Sequence, residues 1–86
     1  VTPRSTDERE DIYKNYLLDL GRLIKEQARE TKREKDCCAG VEKALAEGKL
    51  MAYHEVISLM QQQAAAFGLS LHSIALQDIN PETDLL

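Results

Sequence analysis

The chain has 86 residues, a formal net charge of −4 and two cysteines, which bounds it to one small domain short of core unless a metal, a disulfide or a partner subunit helps. Cys37 and Cys38 are adjacent, so they cannot clip distant segments together. Nine of the eleven Lys and Arg lie in residues 1–36 with nine acids, while residues 37–86 hold two bases and six acids. Neither half carries the positive surplus that phosphate binding requires, so nucleic acid is not an expected partner. No apolar run approaches 18 residues, and no basic start precedes an apolar stretch with a cleavage site. A membrane span and a visible secretion signal are both disfavoured, and a cytoplasmic setting is expected.

Ser5-Thr6-Asp7-Glu8 fits a capping box, and Asp7, Glu8, Glu10 and Asp11 place negative charge at the positive end of a helix dipole. Ile12, Tyr13, Tyr16, Leu17, Leu20, Leu23, Ile24 and Ala28 then follow at helical spacing. They cover an arc of roughly 160°, with only Leu18 well off it. Gly21 stands at the edge of this face, as a close contact or a local weak point. Arg29 to Asp36 has no large apolar residue and reads as a solvated, mobile helix end, with pairs Glu26–Arg29, Glu30–Arg33 and Lys32–Asp36 available.

The turn is expected at Cys37-Cys38-Ala39-Gly40, because Gly40 can adopt the left-handed conformation; a break at Gly48 with one longer first helix is the competing reading. The second helix carries two apolar stripes. One is Val41, Leu45, Gly48, Ala52, Val56 and Leu59; the other is Ala46, Leu50, Tyr53, Ile57, Met60, Ala64 and Phe67. Together they span roughly 200°, against about 100° for a helix that faces one core. Folding back near residue 38 sets Ala28 against Gly48, Ile24 against Ala52, Leu20 against Val56, Leu17 against Leu59 and Tyr13 against Gln63. That leaves Leu50, Tyr53, Ile57, Met60, Ala64 and Phe67 as the expected interface with another copy.

Phe67-Gly68-Leu69 reads as a helix stop with an apolar residue folding back on the last turn. The remaining residues include Leu69, Leu71, Ile74, Leu76, Ile79, Leu85 and Leu86, too apolar for a free end, and are expected to wrap over the hairpin or its partner. Ser70 suits the cap of a short helix through Leu76, and Asn80-Pro81 a turn or a last helical start.

Candidate chemistry fails on spacing. A zinc helix needs a second His four residues beyond His54, where Ser58 stands; a diiron bundle needs Glu three residues before each His, where Met51 and Leu69 stand. His54 falls among Lys43, Glu47, Ser58 and Gln61 on the polar face and reads as a surface histidine. Cys37 and Cys38 lack metal or C-x-x-C spacing and read as turn residues, with a regulatory vicinal thiol pair as the sharper alternative. Asp78, Asn80, Glu82 and Asp84 alternate like a calcium loop, but Thr83 replaces the required Gly. Arg29, Lys32, Arg33 and Lys35 are interleaved with Glu26, Glu30, Glu34 and Asp36, so the local field nearly cancels. No catalytic, cofactor or metal residue is assigned.

The expected fold is all-α: one domain over 1–86, with a helix at about 6–36, a turn at 37–40, a helix at about 41–67 and an apolar tail over 68–86. Two such antiparallel hairpins are expected to form a homodimeric four-helix bundle. The expected function is non-enzymatic self-association and protein–protein interaction, with a possible further protein partner; a small ligand- or metal-binding bundle is the alternative.

Overall fold

The computed structural model describes residues 3–86, with side chains from Glu8 onward. It contains α1 over Pro3–Cys37, α2 over Gly40–Ala66, a 3-10 turn over Leu71–Ile74 and a short α3 over Pro81–Leu85. No strand occurs among the described residues, and α1 and α2 pack along each other as a hairpin. α1 begins at Pro3, a residue that loses little at a helix start because its missing N–H is an orphan there anyway. Ser5 therefore stands inside the first turn instead of capping it, and the side chains of the expected capping box through Asp7 lie outside the described residues.

Gly40 opens α2 at φ +65°, the left-handed conformation that the turn was expected to require. α2 then runs unbroken through Gly48 to Ala66. Its end is a Schellman motif around Gly68 at φ +72°. The Leu69 N–H donates to the Ala64 carbonyl at 2.8 Å and the Gly68 N–H to that of Ala65 at 3.1 Å, which satisfies two orphan acceptors of the last turn.

Beyond Gly68 the chain reverses and lies in the groove between α1 and α2, running alongside α1 in the same direction. The Lys25 ammonium donates to the Ala75 carbonyl, and Arg29 lies one turn on against Asp78. Ile74, Leu76, Ile79 and Leu85 enter the core with Ala28, Leu50, Ile57 and Ala64. Each large member contributes about 1.5–3 kcal/mol by leaving water. The tail's backbone has no ladder to pair with, so a side chain supplies partners. The Gln61 amide donates to the Leu76 carbonyl at 3.1 Å and to the Ile79 carbonyl at 2.9 Å. Gln61→Ala should cost about 1–3 kcal/mol in urea unfolding, because it strands two acceptors at once.

α3 starts as expected at Asn80-Pro81. The Asn80 side chain accepts from the Glu82 N–H at 3.0 Å, and Asp84 returns the favour by accepting from the Asn80 N–H at 2.8 Å. The 3-10 turn after Ser70 is shorter than the helix expected there, and none of its first N–H groups donates to the Ser70 hydroxyl. It ends at Ala75, a non-glycine residue at φ +58°.

The expected helix pairing is corrected. Leu50 and Ile57, assigned to contact between copies, are 1% and 0% exposed within the single chain, and Ala64 is buried with them. Tyr53 and Met60 pack against the same core, and the Tyr53 hydroxyl reaches Gln27 at 3.1 Å. Only Phe67 of that set stays exposed, at 71%. The stripe expected to face α1 is the one left in water: Val41, Leu45, Gly48, Ala52, Val56 and Leu59 are all exposed. Size explains the choice. The buried stripe must fill both the α1 contact and the bed of the tail, and its Leu, Tyr, Ile and Met side chains reach both, whereas Gly48 and Ala52 leave the other stripe shallow.

Candidate functional site

The geometry of the hairpin divides each long helix into a face toward the tail and a face away from it. On α1, Gly21, Lys25 and Arg29 meet the tail at successive turns. At about 100° per residue, Ile12, Tyr16 and Leu23 stand roughly half a turn round from that line. On α2, Leu50, Ile57 and Gln61 meet the tail or its core. The same advance places Val41, Leu45, Ala52 and Leu59 roughly half a turn away from them. Both uncovered faces therefore point to the side of the hairpin opposite the tail and form one surface.

That surface is apolar across both helices. Ile12, Tyr13, Tyr16, Leu23, Val41, Leu45, Val56 and Leu59 are all large and exposed, Leu45 and Leu59 by 63% each. Scattered exposed leucines are ordinary, but a contiguous apolar face rimmed by polar residues marks a contact site. The rim is present: at about 100° per residue Glu55 and Gln62 border the α2 stripe and Asp19 and Glu26 border the α1 face, all of them exposed.

The shape agrees. The radius of gyration is 16.0 Å and the extents are 60 × 20 × 16 Å, whereas a compact chain of this length has a radius near 12 Å. The accessible surface is 6158 Å², against about 5100 Å² for a compact monomer of this mass. The excess is what a hairpin one layer thick leaves open.

On the tail side, the Lys25 ammonium is nearly buried and contacts both the Ala75 carbonyl and the Asp78 carboxylate at 2.7 Å. Arg29 lies 3.6 Å from the second oxygen of Asp78 and donates to the Asp78 carbonyl. Hydrogen bonding from Lys25, opposed by partial desolvation and aided by both cations, holds the Asp78 carboxyl below its ordinary range. A depressed folded-state value makes this contribution full above the ordinary carboxylate pKa of about 3.9 and lost as pH falls through the folded value. Asp78→Asn should thus destabilise the protein at pH 7 and progressively less as pH falls below the ordinary carboxylate value, in paired thermal melts. Because Asp78 is half exposed, the effect at pH 7 stays near 1 kcal/mol.

Several sequence readings shift with these contacts. The charged end of α1 is not wholly solvated: Thr31 is buried with its hydroxyl on the Gln27 carbonyl at 2.9 Å, and Arg29 turns to Asp78 instead of Glu26. The Glu30–Arg33 and Lys32–Asp36 pairs form as expected, while Glu26 pairs with Arg22. His54 is half-buried beside α3 instead of lying open on the polar face, and its Nε2 is enclosed without a hydrogen-bond partner. Asp78, Asn80 and Asp84 are engaged in the tail latch and the α3 cap. Among the described residues, no three His, Cys, Asp or Glu side chains are grouped to hold a metal. Desolvation, then the adjacent Cys37, raises the Cys38 thiol, the opposite of an activated thiolate. Among the described residues, no helix is long and apolar enough to cross a membrane.

Sequence reasoning therefore missed the roles of Val41, Leu45, Val56 and Leu59 as uncovered surface. The signal available was the tail itself, whose apolar residues had to claim a bed on the hairpin. No family model matches the chain, and neither a curated protein nor a solved structure is significantly similar to it.

Proposed function

We propose that this chain is a non-enzymatic helical protein that acts by association, binding another copy of itself and, in that assembled form, a protein partner. The observation that carries the reading is the apolar face built by α1 and α2 on the side away from the tail. A specific complex buries about 800 Å² on each partner, and eight large side chains exposed as these are supply area of that order. Two hairpins meeting by this face make a four-helix bundle, with the tails on the outside of the assembly. The tail covers one α2 stripe within each chain, so the need for a partner rests on the other stripe and on the α1 residues beside it.

Leu45→Glu and Leu59→Glu test the reading, with mass followed by light scattering and helicity by circular dichroism. Both positions are exposed in the single chain, so a charge there leaves its fold intact. The expected result is a halved mass at unchanged helicity. An unchanged mass in both variants rejects this face as the contact.

A further inference from the structure

We infer that the second copy pairs its α2 with this one antiparallel, about a two-fold axis at Ala52. This rests on the self-association proposed above and names its seam. A two-fold contact must be self-complementary: if one residue meets a second, the second must meet the first. The uncovered stripe of α2 has that property about Ala52. Leu45 and Leu59 lie seven residues to either side, and Gly48 and Val56 lie four to either side. An antiparallel copy centred there sets leucine on leucine at both ends and valine over glycine between them, with Ala52 opposite its own counterpart.

The space needed is present. Nothing lies within 4 Å of the position a side chain would take at Gly48, so a valine from another copy has room to seat there. Leu45, Val56 and Leu59 are all exposed in the single chain, Val56 by 44%. Small residues at the centre let the two helices pack at about 9–10 Å between axes, within the range of helix packing distances. With Cα atoms about 2.3 Å from each axis, the two Ala52 positions then come within the roughly 4.4–6.8 Å that a disulfide spans. The partner's chemistry is thus that of this chain itself, and the α1 faces flank the seam.

Cysteine cross-linking decides it, in full-length chain carrying Cys37→Ser and Cys38→Ser. Under mild oxidation Ala52→Cys should convert most of the protein to a disulfide-linked dimer, at least tenfold more than Gln62→Cys, a single cysteine at an exposed position off the stripe. Leu45→Cys and Leu59→Cys should link poorly alone and efficiently when mixed. Ala52→Leu, which overfills the crossing, should weaken dimerisation at least tenfold while circular dichroism stays unchanged. A dimer that neither links through Ala52→Cys nor responds to Ala52→Leu overturns the seam but leaves self-association standing. A monomer under all these conditions overturns both.

Discussion

Gly21→Ala is expected to destabilise the protein by about 2 kcal/mol or more, although alanine is the better helix former by about 1 kcal/mol. The reason lies in the backbone of the 3-10 turn. A methyl group at position 21 would collide with the carbonyl of Ile74, and neither side of that contact is a flexible side chain. The turn would have to lift, and Ile74 with it, which is 5% exposed and part of the core. Urea unfolding of Gly21→Ala against the parent measures the cost. A Gly21→Ala variant as stable as the parent, or more so, would show that the tail does not press on α1 at this point.

Ile57→Ala is expected to cost about 2–5 kcal/mol, the range for emptying a fully enclosed aliphatic site. Ile57 is 0% exposed and sits between α1 and the tail, in the cluster with Leu50, Leu76 and Leu85. Leu59, two residues on, is 63% exposed. Leu59→Ala should therefore leave the unfolding of a dissociated chain within about 0.5 kcal/mol of the parent. The pair is diagnostic because the two residues lie on opposite stripes of one helix. Measured at concentrations low enough to dissociate copies, a large loss at Leu59 and a small one at Ile57 would mean that α2 is turned the other way.

The extent to which this fold is legible in sequence differs from element to element. Gly40 and Gly68 are marked by composition alone, because left-handed backbone excludes most other residues, and both positions adopt it. Asn80-Pro81 is legible for the same local reason, a cap whose side chain and ring fit a helix start. The orientation of α2 about its own axis was not legible. Two apolar stripes of similar length compete for one neighbour, and periodicity gives no preference between them. What decides is the tail, a contact between residues far apart in the chain: Gln61 with Leu76 and Ile79, Lys25 with Ala75 and Asp78. Charge reasoning along one helix was limited in the same way. It found Glu30–Arg33 but not the turn of Arg29 toward Asp78, which belongs to another part of the chain.

The latch at Lys25 and the Gln61 amide on two tail carbonyls show that the groove under the tail is filled, with polar groups drawn into it. The other side is not: its helices present Leu45, Val56 and Leu59 beside Tyr16 and Leu23 with nothing above them. Sedimentation equilibrium of the unmodified chain at low micromolar concentration addresses that difference most directly. The expected result is a particle of twice the 9.7 kDa chain mass. A homogeneous 9.7 kDa particle, fully helical and stable across that concentration range, would contradict it.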